Sequence, residues 1–182
     1  MHFDKPGRDN TDSTLAQAYK RAQDLGINEV VVASSKGYTA KKTLEVFQGC
    51  KVVVITYHCG FKEPFEHVMP DDVRADLQNS GATVISATHA LSGVERSIFN
   101  KYSGAYPVLI IADTLRLFGQ GTKVAVEIAI MAADGGALSG KDIVSIGGTG
   151  KGADAALILK PANQSHLFDL RVREVICKPR NF

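Results

Sequence analysis

The 182 residues are 45% hydrophobic and 22% charged, and 21 basic against 19 acidic side chains leave a formal net charge of +2. That length and composition suit one globular domain over residues 1–182, large enough to bury a core without disulfides or metal. No block of one charge sign and no 18-residue apolar run occurs, so the expected partners include neither nucleic acid nor a membrane.

Residues 1–10 are polar, carry Pro6 and Gly7, and read as coil without the apolar centre of a signal peptide. Thr11, Asp12 and Ser13 are N-cap candidates for a helix to about Leu25, with Leu15, Ala18, Ala22 and Leu25 inward and Gly26 as its stop. Glu29–Ala33 and Lys51–Thr56 are β-branched runs of the kind buried on both faces of a sheet. A helix from about Thr39 to Gln48 lies between them, making a βαβ unit with parallel strands. Asp71–Asn79 reads as a helix, Thr83–Ser86 as a third strand and Ser92–Phe99 as a helix. Pro107–Phe118 is ambiguous. Val108, Ile111, Ala112, Leu115 and Phe118 share a helical face, which favours helix, whereas Val108–Ile111 alone would suit a strand. Gly121–Ala133 is a helix with Val124, Ile128, Met131 and Ala132 on one face. Asp142–Ile146 and Ala155–Lys160 are the fourth and fifth strands, joined by so short a link that they must be antiparallel. Phe168–Cys177, charged on one side, reads as an edge strand able to pair across a two-fold axis in a homo-oligomer. Cys50, Cys59 and Cys177 form no close pair, so reduced thiols and a cytoplasmic location are expected.

The functional signal is a coincidence at the strand ends. Four buried strands run into loops of small, hydroxylic or imidazole residues: Ser34-Ser35-Lys36-Gly37, Thr56-Tyr57-His58-Cys59-Gly60, Ser86-Ala87-Thr88-His89 and Gly147-Gly148-Thr149-Gly150-Lys151-Gly152. Ligands bind at this edge of open α/β sheets. In the first loop, hydroxyls and Lys36 precede the free N–H groups of a helix start, an arrangement that suits phosphate. An ordinary βα turn with Thr39 as N-cap accounts for Thr39 and Gly37 but not for Lys36 and two serines. Gly148–Ala153 matches G-x-G-x-x-A literally, yet a strand follows it rather than a helix, so it is not read as a dinucleotide fingerprint. It reads as a glycine-rich nest with one lysine, or as a flexible hairpin loop.

His58 and Cys59 are adjacent and should point to opposite faces, so they cannot form a nucleophile pair; a pairing of Cys59 with His89 from the next strand stays open. His58, Cys59 and His89 lack metal-ligand spacing and a fourth ligand. His58 and His89 either line the ligand site or cap loop carbonyls. Glu95–Arg96 and Lys123–Glu127 read as surface pairs, the latter at i, i+4. Gly119–Lys123 opens a helix and is a further candidate anion site.

Thr14–Ala18, the Val30 strand, Ser34–Ala40 and the Val52–Thr56 strand resemble the C-terminal α/β domain of pyruvate kinase. There a Ser/Thr-x-Ser-Gly-x-Thr/Ser-Ala loop binds a phosphate of an allosteric sugar bisphosphate. Lys36 stands here where that family has serine, so the sugar specificity does not transfer. The full chain is similar to a small, mainly archaeal family of stand-alone proteins with this domain, through Ser35–Ala40, Thr56–Phe61, Thr88–Gly93, Gly119–Val124 and Gly147–Asp154. The resemblance implies a three-layer αβα fold with a mostly parallel sheet and at least one antiparallel strand. It also implies flavin mononucleotide (FMN) as ligand, with no established reaction. The expected binding residues are Ser34, Ser35, Lys36, Gly37, Tyr38 and Thr39 for the phosphate. Thr56, His58, Gly60, Phe61, Thr88, His89, Gly148, Thr149, Gly150, Lys151 and Asp154 are expected around the rest of the molecule. The alternatives are a non-catalytic sensor of a sugar phosphate or other phosphometabolite, and a hydrolase or transferase using His58 or His89.

Overall fold

The computed structural model describes all residues, Met1–Phe182. Seven strands form one sheet: β1 (His2–Phe3), β2 (Glu29–Ala33), β3 (Lys51–Thr56), β4 (Thr83–Ser86), β5 (Ile143–Gly147), β6 (Ala155–Lys160) and β7 (Arg171–Pro179). Six helices accompany them: α1 (Thr11–Leu25), α2 (Tyr38–Val46), α3 (Asp71–Asn79), α4 (Gly93–Tyr102), α5 (Pro107–Arg116) and α6 (Gln120–Asp134). The strand order is β1-β7-β6-β5-β2-β3-β4, with only β6 antiparallel to its neighbours.

The alternation of side chains along each strand feeds two cores. Val30, Val32, Val52, Val54, Val144 and Ile146 face α1, α2 and α3, where Leu15, Ala18, Ala40 and Leu77 meet them. Val31, Val53, Ile55, Ile143, Leu157 and Leu159 face the other way, onto α6 and Ala112 of α5. Strands with β-branched residues on both faces are explained by this three-layer αβα arrangement.

Several expectations need correction. Residues 1–10 are not coil: His2 and Phe3 pair with Lys178 and Pro179, Phe3 is buried, and Arg8–Asn10 form a 3-10 turn. β7 therefore has one end covered, and Gln164–Asp169 before it are 3-10 rather than strand. The ambiguous segment is helical, with Pro107 in its first turn and the Val108 N–H donated to Glu95 Oε2 at 3.0 Å. Phe118, expected on its inner face, is exposed. α6 is buried on nearly every side rather than along one face. No helix is long and apolar enough to cross a membrane.

Candidate functional site

β2 lies between β3 and β5, and the chain leaves their parallel ends in different directions. Val32 is in register with Ile146, so the loops after Ala33 and Gly147 emerge side by side at the switch point of the sheet. Ser34–Lys36 on one side and Gly148, Gly150, Lys151 and Gly152 on the other become facing walls of a cleft of about 840 Å³.

Gly37 turns the first loop into α2. It is the N-cap, with φ of 91°, and a Cβ there would strike Val73 Cγ1. The N–H groups of Tyr38 and Thr39 begin the helix and have no intrahelical acceptor. The next N–H, that of Ala40, donates to Ser34 Oγ at 3.3 Å. Thr39 is thus the second helical residue rather than the cap. Thr56 Oγ1 donates to the Ser35 carbonyl at 3.4 Å and ties the β3 end to this loop.

The glycine loop is anchored from behind by Asp154. Its Oδ2 accepts the N–H of Gly7 at 3.0 Å and that of Thr149 at 3.1 Å. Burial pushes the carboxyl above its ordinary range, against those two bonds. Asp154 Oδ1 and Thr149 Oγ1 are buried outside hydrogen-bonding geometry.

One wall of the cleft is aromatic. Tyr57 and Phe61 stack with centroids 3.9 Å apart and planes 5° from parallel, and His89 stands edge-on to both. Burial holds His89 below the usual histidine range; Glu127 opposes that shift, while His58 and Lys123 reinforce it. The floor is the Lys123–Glu127 ion pair, a buried pair and not the surface one its spacing suggests. Glu127 Oε1 also accepts the Leu91 N–H at 3.0 Å. Burial lowers the Lys123 pKa, and Glu127 counteracts it.

Of the expected binding residues, Ser34, Ser35, Lys36, Tyr38, Thr39, Thr56, Phe61, His89, Gly148, Gly150 and Lys151 line the cleft. Six do not. Gly37 is buried in the turn, Gly60 donates its N–H to the Glu66 carbonyl, and His58 packs edge-on behind Phe61 and His89. Thr88 opens instead onto a neighbouring cavity of about 490 Å³. Thr149 and Asp154 support the glycine loop from behind. His58 Nδ1 meets the Cys59 carbonyl at 2.7 Å rather than its thiol, and no group of three or more His, Cys, Asp or Glu side chains is placed to hold a metal.

Residues absent from the sequence-based set complete the lining. Arg8 comes from the N-terminal segment, Tyr57 and Lys62 from the β3 loop, Arg96 from α4, and Arg116, Gln120 and Lys123 from the α5–α6 corner. The Gly119–Lys123 signal pointed to this corner. Glu95, expected to pair with Arg96, instead caps α5, leaving Arg96 without a carboxylate. Glu127, already neutralised by Lys123, is the cleft's one acidic residue.

Residues 12–159 match the family described as pyruvate kinase, alpha/beta domain. The chain belongs to that family. A pyruvate kinase α/β domain here carries β7, β1 and Arg8 outside the matched residues. Among solved structures it is similar to Cryptosporidium parvum pyruvate kinase in complex with ADP, at 13% identity and a TM-score of 0.45. That similarity covers 88% of this chain and 25% of the other, so the chain spans about a quarter of that protein's length.

Proposed function

We propose that the cleft binds a phosphorylated small molecule carrying a flat ring, with FMN as the ligand. The observation that carries this reading is the lining. Arg8, Lys36, Lys62, Arg96 and Lys151 face the cleft without ion-pair partners, beside a stacked aromatic pair. A volume of about 840 Å³ lies in the range of small-molecule sites. The residues present fit FMN. Ser34, Ser35, Lys36 and the Tyr38 and Thr39 N–H groups would hold the phosphate, while Tyr57, Phe61 and His89 would border the ring and Gly148 and Gly150 would let it approach closely. Bound flavin supplies reversible acceptance of electrons or hydride. The chain's own contribution is to neutralise the phosphate, orient the ring and keep a neutral imidazole at its border.

The test is the absorption spectrum of the purified protein, followed by equilibrium dialysis with FMN. Retained FMN is the expected result. A colourless protein that retains none, but whose melting temperature rises with a sugar phosphate, would favour the sensor reading of this family's fold instead.

A further inference from the structure

We propose that Arg8 is an anion-binding residue of this cleft and that Asp154 positions it. The inference rests on the reading that a phosphate-bearing ligand occupies the cleft, though not on that ligand being a flavin. Three contacts fix Arg8. Its guanidinium lies over the Tyr38 ring, 3.7 Å from the centroid. Its carbonyl accepts Thr11 Oγ1–H at 2.6 Å, and the same Thr11 oxygen accepts the Ala153 N–H at 3.1 Å. The N–H of the preceding residue, Gly7, is held by Asp154 Oδ2. The backbones of strap and loop are in close contact: a Cβ on Gly152 would come within 2.7 Å of Arg8 Cα. Arg8 therefore stands where the two loops face each other, above the first residue of α2.

Stacking engages the face of a guanidinium and leaves its in-plane N–H donors free. Arg8 has no carboxylate partner, so those donors are available to a phosphate. A side chain already held against a ring loses less entropy when it takes up an anion. Asp154 matters because one buried oxygen holds both Gly7 and Thr149. The strap that carries Arg8 and the glycine loop that carries Lys151 thereby share one anchor.

The experiment compares FMN with riboflavin, which lacks the phosphate, in fluorescence titrations of the wild type, Arg8→Ala, Arg8→Lys and Asp154→Asn. Binding of inorganic phosphate is followed in parallel by phosphorus NMR. Arg8→Ala should weaken FMN about tenfold or more, the scale of a hydrogen bond to a charged group, without changing riboflavin. Arg8→Lys should recover part of the loss, and Asp154→Asn should lower the FMN-to-riboflavin preference in the same direction. An unchanged FMN affinity in Arg8→Ala overturns the Arg8 assignment and leaves the flavin reading standing. A wild type that ignores FMN but binds phosphate, with Arg8→Ala losing it, overturns the flavin reading alone. A wild type that binds neither overturns both. If Asp154→Asn weakens both flavins equally, Asp154 is structural and its positioning role falls. The wild type supplies an independent check on that role: the Gly7 amide must be protected from hydrogen exchange, and exchange at the rate of free coil overturns it.

Discussion

Lys36 decides whether the first loop is an anion site or merely a tight βα turn. It is exposed, has no ion-pair partner, and stands beside the unpaired N–H groups of Tyr38 and Thr39. Replacing it with alanine removes a charge and leaves the turn intact, since Gly37 and Ser34 shape the turn. Lys36→Ala should weaken FMN binding by about 1.5–3 kcal/mol, the range for hydrogen bonds to charged groups. A titration showing no loss would move the phosphate elsewhere. Lys36 was readable from sequence because strand, loop and helix are contiguous there. Arg8 and Arg96 were not, because each reaches the cleft from an element whose placement depends on tertiary packing. The burial of Lys123–Glu127 is hidden from sequence for a related reason: i, i+4 spacing describes one helix and cannot report that α6 is enclosed on nearly every side. Asp154 lay in a motif of the right loop, yet its carboxylate points behind the wall it supports.

Helices and strands themselves were largely legible, since their starts and stops are local. Gly26 takes the left-handed C-cap of α1, and the short link between β5 and β6 forces their antiparallel pairing. β1 escaped notice because two residues carry no periodicity, and its pairing with β7 joins the two ends of the sequence. α2 hangs on a single local feature, Gly37. Alanine there must adopt φ near 91°, and its Cβ would overlap Val73 Cγ1. Gly37→Ala should destabilise the protein by about 1–3 kcal/mol, the usual cost of such backbone strain, or more while Val73 remains. Chemical denaturation of Gly37→Ala with and without Val73→Ala separates the two causes. If Val73→Ala recovers nothing, the steric part of this account is wrong.

For the whole molecule, the half-buried His89 in the loop after β4 and the buried Cys177 of β7 should set the limits of the pH–stability profile. His89 at the cleft has its pKa lowered by burial below the ordinary 6.5. As pH falls past 6.5 the unfolded imidazole takes a proton that the folded one resists, so stability present above that pH is lost on acidification. Cys177 lies in the core beneath α1, and burial raises its thiol from 9.0 to about 11. Above pH 9 the unfolded thiol ionises while the folded one stays neutral. Stability is therefore complete below 9 and declines towards 11, by about 2–3 kcal/mol in all for a shift of this size. Denaturant melts from pH 5 to 11 should show a plateau with a falling limb on each side. His89→Gln should flatten the acid limb and leave the alkaline one; Cys177→Ala should do the reverse, apart from a constant offset for the small cavity it creates. Other ionisable groups contribute to both limbs, so the difference between variant and wild type at each pH is the deciding measurement. An alkaline limb equally steep in Cys177→Ala would show that the buried thiol is not what limits the fold at high pH.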